Sequence, residues 1–302
     1  MTGYTLTAYD RYLRTKSAIF RTLCIAGAIF IIALLLLVTG YLLLLGFSSL
    51  SWDFFAKVPS GDIKGDIGGM RHALVGTVVL IAMASAIGVP MGIAAGVYLS
   101  EYEAGGWLAT PVRFVSDVLA GVPSIVVGIL GYELLVRPAW IATNNAWAGA
   151  AALAFMMIPI IARTTEEMLR LVPGSYREAA IGLGATKAQT ILQVVLPAAT
   201  GSLVTGVMLA VARVAGETAP LLFTAANSRL DPITIDGSFP FVHIATSKAF
   251  PSLTVQIFNY ATAPSPDQNR QAWAGILVLI SLIFVLNLSI RFFASRTRGK
   301  SK

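Results

Sequence analysis

The chain has 302 residues, of which 12% are charged and 56% hydrophobic, with a mean hydropathy of +0.75 and a formal net charge of +7. Soluble globular chains carry about 25% charged residues, so the composition excludes an ordinary soluble domain and points to the bilayer. The single cysteine, Cys24, excludes a framework of intramolecular disulfides and reads as a small packing residue.

Uncharged stretches run over Thr22–Trp52, His72–Ser100, Pro138–Ala162, Ala188–Ala212 and Gln271–Ile290. Each reaches the roughly 20 residues that carry a helix across about 30 Å of hydrocarbon. A sixth stretch, 110–136, is apolar apart from Arg113, Asp117 and Glu133. The expected architecture is therefore all-α, with six transmembrane helices. A tail, 1–18, precedes the first span, 19–46, which is too long for the apolar region of a cleaved leader. A loop with Pro59, Gly61, Gly65 and Gly68-Gly69 closes this first unit at residue 70. Spans two to six are placed at 72–98, 110–136, 146–164, 197–225 and 271–293, within a unit covering 71–293, and 294–302 form a basic tail. In span two, Gly88, Gly92 and Gly96 recur every four residues, so another helix backbone can approach that face closely. Pro90 and Pro123 free backbone groups that need partners within the bundle.

Lysine and arginine set the orientation. With both ends inside, fourteen basic residues fall in cytoplasmic segments and seven in outer ones, while Arg213 lies inside a span. This bias places both termini in the cytoplasm and makes the positive charge a topology signal rather than a mark of nucleic-acid binding. The longest outer loop, 226–270, mixes prolines with Phe239, Phe241, Phe250, Phe258 and Tyr260. It is expected to be folded or to face a partner.

Between spans four and five, Ser175 stands three residues before Glu178, and Thr186 three before Gln189. Both are capping-box spacings, and they predict short helices over 176–183 and 187–195 with Gly184 at the turn. Pro197 then restarts the chain in span five. The G-x-x-x-x-G-K-[ST] phosphate loop does not occur around Gly182, Gly184 and Lys187, so ATP is not expected to bind this chain.

Within the apolar spans, Arg213 and Glu217 are four apart, so they lie on one helical face and can pair. An ionisable residue at a helix centre costs at least ~2.5 kcal/mol to insert, so it should face the bundle interior or a wet cavity. Arg213 can serve there as an anion ligand, because guanidinium presents a planar fork of donors to tetrahedral oxyanions. The alternative is a buried pair that only sets helix register. Asp117 is expected to cap a helix or bond across helices. Glu133 and Arg137 read as an interfacial pair, and Glu166 and Glu167 as surface charges. His72 and His243 lack a third ligand at suitable spacing, which gives a metal site little support.

Glu178-Ala179-Ala180, then Gly184 four residues on, then Leu196-Pro197, resemble the EAA loop of ATP-binding-cassette importer permeases. Asp117-Val-Leu-Ala-Gly-Val-Pro123-Ser124, Arg163-Thr-Thr-Glu166-Glu167 and Arg213-Val-Ala-Gly-Glu217-Thr218-Ala-Pro220 are similar to the A subunit of phosphate-specific importer permeases. The likeness runs from about 71 to 293. It implies a non-catalytic permease that imports inorganic phosphate by alternating access across a bacterial inner membrane. It also implies Arg213, Glu217 and Thr218 on the substrate pathway, and Glu178, Ala179, Ala180 and Gly184 in an ATPase-coupling hairpin at 175–197. The implied partners are a homologous C-type permease, two ATPase subunits that bind ATP and Mg, and an extracytoplasmic phosphate-binding protein. A permease for sulfate or molybdate, or a secondary anion transporter, are the competing readings.

Overall fold

The computed structural model describes residues 8–60, 68–102, 106–107, 109–138, 143–235, 242–244 and 246–298. Helix α1, Ala8–Ser48, is followed by the short α2, Trp52–Ala56. Then α3, Arg71–Val97, runs into a π-helical turn at Tyr98–Tyr102. Next come α4, Ala109–Gly121, and α5, Ser124–Gly131, the latter extended by a π-turn at Tyr132–Val136. Helix α6 covers Ala146–Arg170 and α7 covers Gly174–Gly182. A continuous rod follows: α8, Lys187–Thr190, a π-turn at Ile191–Val195, and α9, Leu196–Ala215. After α10, Ala219–Thr224, come an antiparallel pair of strands, β1 (Ile233–Ile235) and β2 (Val242–Ile244), then α11, Leu253–Ala261, and α12, Pro266–Arg298. Among the described residues this hairpin is the only sheet in an otherwise helical architecture.

Five helices are long and apolar enough to cross a bilayer, and a sixth candidate is the pair α4 and α5, bent by 103°. The helix pairing decides whether that pair crosses. A Cβ on Gly88 would meet Met157, one on Gly92 would meet Ile161, and one on Gly96 would lie 2.5 Å from the Cβ of Thr165. Residue numbers rise together, so α3 and α6 are parallel, and the glycine face packs as expected. Two parallel helices require the chain to return between them, so α4 and α5 together make the sixth crossing. The expected single helix over 110–136 is broken because Pro123 has no N–H and biases Val122 away from helical backbone. Each half, thirteen residues counting the π-turn, is about 20 Å long, too short to cross alone.

The fifth span also differs from expectation. Its helix begins at Lys187 rather than 197 and stops at Ala215. Leu196 N–H bonds back five residues to Ile191, and this wider turn carries the rod past Pro197, where an α-turn would clash. Leu203 clusters with Leu169, Gly206 lies against Thr164, and Val211 and Val214 share a core with Leu153 and Met157. So α9 runs antiparallel to α6. The 171–186 hairpin therefore lies on the same face as both described ends of the chain, with six crossings between them.

Most of α1 has little packing; its end meets α12, where Gly46 abuts Leu277 and Tyr41 meets Trp273 edge to face. On that opposite face, the expected folded loop sends its second half into the bundle. Phe250, Leu253 and Val255 are fully buried, Leu253 N–H donates to Thr77 Oγ1 (2.7 Å), and Gly76 packs on the Pro251 carbonyl. Phe239 and Phe241 lie outside the described residues.

Candidate functional site

Two places gather the residues singled out by sequence. The first is a break in the membrane interior. Helix α9 ends at Ala215, Gly216 N–H turns back to the Arg213 carbonyl (3.3 Å), and Glu217 N–H to Val214 (3.2 Å). Thr218 then leads into α10, which carries Pro220 in its first turn. Arg213 and Glu217 are thus not neighbours along a continuous helix. One sits on the last turn and the other on the loop beyond it. Their approach, Nε to Oε1, is 4.0 Å, with the arginine side chain 48% exposed and the glutamate 17%. Because α9 runs antiparallel to α6, Arg213 comes level with the middle of α6.

Unwound backbone at this depth must be satisfied inside protein or in a wet cavity. The Glu217 carbonyl accepts from Thr254 Oγ1 (3.0 Å), and the Phe223 carbonyl from Asn144 Nδ2 (2.6 Å). The Thr224 carbonyl accepts from Asn145 N–H (3.2 Å). Gly128 of α5 lies so close to the Ala219 carbonyl and Pro220 that a Cβ would come within 3.0 Å of both. The two interrupted helices, α4–α5 and α9–α10, therefore pack against each other just beyond their breaks. The arrangement presents one half-exposed guanidinium beside unwound backbone, with a carboxylate and a hydroxyl in the adjoining turn.

The second place is the hairpin. The EAA residues Glu178, Ala179 and Ala180 lie on α7, which has no buried residue. Gly184 takes φ +86°, Gly184 N–H bonds Ile181, and Ala185 N–H bonds Ala180. This is a Schellman stop, which needs a left-handed residue and so favours glycine. The Thr186–Gln189 capping box forms as expected, with both reciprocal bonds present. The one at Ser175 does not: α7 starts at Gly174 behind Pro173, which leaves Ser175 within the first turn. Leu183, at the tip, is 90% exposed.

Behind α7 lies an ionic network that sequence reading missed. Arg177 grips Glu101 with two bonds, Nη2–Oε1 (2.6 Å) and Nε–Oε2 (3.0 Å), and also donates to the Leu169 and Val172 carbonyls. Bonding to Glu101 holds this guanidinium above its ordinary pKa, so it stays charged. Glu166, expected at the surface, is buried, and its Oε1 accepts from Arg113 Nε and Arg170 Nη2, both at 2.6 Å. The i,i+4 spacing of Glu166 and Arg170 was the available signal; Arg113 arrives from a distant helix. Glu167 pairs with Arg163 on the exposed surface as expected, and Glu133 pairs with Arg137. Asp117 is exposed on α4 with no hydrogen bond or ion pair among the described residues, contrary to the expected cross-helix bond. His72, in the first turn of α3, is fully buried.

Residues 88–299 match the family described as binding-protein-dependent transport system inner membrane component. The chain belongs to this family. It is 37% identical to the phosphate transport system permease protein PstA of Yersinia pestis, over 94% of this chain and 92% of that one. It is 39% identical to PstA of Haemophilus influenzae, over 82% and 83% of the two chains, and to PstA 1 of Mycobacterium tuberculosis strain H37Rv, over 76% and 72%. Among solved structures, a bacterial ABC transporter involved in alginate import resembles it at a TM-score of 0.62 and 14% identity, covering 96% of this chain and 100% of that one. An inward-facing MetNI methionine transporter chain gives 0.52 at 20%, covering 78% and 95%. These two likenesses show the ABC importer permease fold.

Both places fall inside the family match, whereas α1, α2 and the first part of α3 precede it. The inner-membrane component is thus a multi-pass chain with two interrupted helices at its centre and a solvent-facing hairpin at one end.

Proposed function

We propose that this chain is the membrane permease subunit of an ATP-driven importer of inorganic phosphate. Arg213 carries the reading: a guanidinium at mid-membrane, half exposed and poorly matched to Glu217, in a chain similar to phosphate permeases. A cation there needs an anionic partner, and its planar fork suits a tetrahedral oxyanion. Glu217 adds an acceptor one turn away, with the Thr218 hydroxyl beside it. Phosphate near neutral pH retains a P–OH that can donate to a carboxylate, whereas sulfate has none and is repelled.

The basic residues favour the hairpin face as cytoplasmic, with both ends of the chain on that side. There Glu178, Ala179, Ala180 and Gly184 form a surface suited to a cleft in an ATPase that binds ATP and Mg. A homologous permease covers Arg213 and Asp117, which this chain leaves open. A phosphate-binding protein delivers substrate to the opposite face. Ser252 at the start of α11 is buried, so contact with that protein falls to other parts of the 226–270 loop.

Reconstitution of the full complex in proteoliposomes tests the reading. Phosphate uptake should require ATP and stop with vanadate, and Glu217→Gln should ease sulfate entry when the binding protein is bypassed. Uptake that persists without the ATPase would make the chain a secondary transporter; sulfate or molybdate uptake exceeding that of phosphate would reassign the substrate.

A further inference from the structure

The network behind the hairpin is more than a surface ion pair, because it converges on one feature. The π-turn Tyr98–Tyr102 ends α3 and carries both Glu101 and the Leu99 carbonyl. Arg177 from α7 holds Glu101, while Arg113 from α4 donates Nη2 to the Leu99 carbonyl (3.2 Å) and Nε to Glu166 of α6. The same Arg177 caps the C-terminal end of α6 through the Leu169 and Val172 carbonyls. Glu101 is 7% exposed and Glu166 2%, so both carboxylates are held in a dry setting where fork geometry matters more than in water.

Four elements thus meet at one turn. Of these, α3 and α6 are sealed along their length by Gly88, Gly92 and Gly96, and α4 leads directly to the break at Pro123. The rest of α7 buries no side chain, and among the described residues this guanidinium is its one side chain hydrogen-bonded to the bundle. Lys187 adds a lighter contact, 4.5 Å from the centre of the Tyr102 ring in the same turn. π-Turns in helices occur frequently at functional sites.

We propose that the Arg177–Glu101 fork is the joint through which movement of the hairpin reaches the membrane helices, with Arg177 and Glu101 as positioning residues for transport. The proposal rests on the reading of α7 as the ATPase-docking surface. Pulling α7 displaces the π-turn and the α6 terminus together, and Arg113 passes the displacement to α4 and its broken partner. Without the fork, hydrolysis continues but the spans no longer follow.

The test uses the complete complex in proteoliposomes and measures inorganic phosphate moved per ATP hydrolysed. Arg177→Gln should lower that ratio at least tenfold with the ATPase still bound, and Arg177→Lys, which keeps the charge but loses the fork, should recover only part of it. If Arg177→Gln fails to assemble, Glu101→Gln gives the same measurement while sparing the carbonyl contacts of Arg177. A ratio unchanged in Glu101→Gln, or uptake and hydrolysis falling in proportion to assembled complex, overturns the joint. Leu183→Asp, at the exposed tip and away from the network, separates the two ideas. If it leaves ATPase binding intact, the docking reading fails. If it weakens binding while Glu101→Gln keeps a normal ratio, the joint alone fails.

Discussion

At the hairpin face, five charged side chains from α4, α6, α7 and the π-turn after α3 are tied around two buried carboxylates, Glu101 by the Arg177 fork and Glu166 through Oε1 alone. At mid-membrane, Arg213 reaches Glu217 at 4.0 Å and stays half open. The same residue types do opposite work in the two places. Where arginines close on buried carboxylates, charge ties neighbouring helices together. Where the match is left incomplete at a depth that penalises ions, the open guanidinium is the proposed place for the substrate anion.

The largest expected effect is at the open site. Arg213→Gln should reduce phosphate uptake about 100-fold or more, the scale seen when a preorganised donor to an anion is removed, while the purified protein keeps its unfolding midpoint. Normal uptake would reduce the Arg213–Glu217 pair to a register device and erase the contrast. At the closed site the effect falls on stability instead. Glu166→Leu leaves Arg113 and Arg170 without their shared carboxylate and should cost about 3 kcal/mol in denaturant unfolding of the detergent-solubilised chain. A loss below about 1 kcal/mol would mean that the network does not hold the helices.

A smaller change sharpens the comparison within the hairpin. Thr186→Ala removes one half of the capping box and should cost about 1 kcal/mol, seen as faster amide exchange over 187–190 and not over α9. Exchange accelerated throughout α9 would show that the cap nucleates the whole rod. Glu167→Ala should be the mildest. Its pair with Arg163 is about half exposed on both sides, so the unfolding free energy should move by less than about 0.5 kcal/mol. A loss comparable to that of Glu166→Leu would show that burial is not what separates the adjacent glutamates.

Local pattern settled those features whose physics is local. The glycine face of α3, the Thr186–Gln189 box and the turn at Gly184 depend on residues within a few positions of one another, and each appears where the sequence places it. Length and hydropathy alone left α4 and α5 reading as one helix, because a proline within an apolar run is compatible with a kink or a full break. Parallel packing of α3 and α6 decided that the broken pair crosses. The end of α9 at Ala215 was likewise hidden: Gly216 and Pro220 permit a stop but do not compel one, and the break is held by Thr254 on the Glu217 carbonyl, by close packing of Gly128 on α10, and by Asn144 and Asn145 on the far end of α10. Glu101, Arg113 and Arg177 are separated by up to 76 positions. No periodicity joins them, and Glu166 reads as a surface charge until Arg113 arrives from α4. Sequence by itself determined which segments are apolar enough to enter the membrane and where the Thr186 cap and the Gly184 turn fall, since transfer free energy and capping are properties of short stretches. Which charges are satisfied and which remain open was decided only by tertiary structure, because the partners of a buried ion come from whichever helices pack beside it.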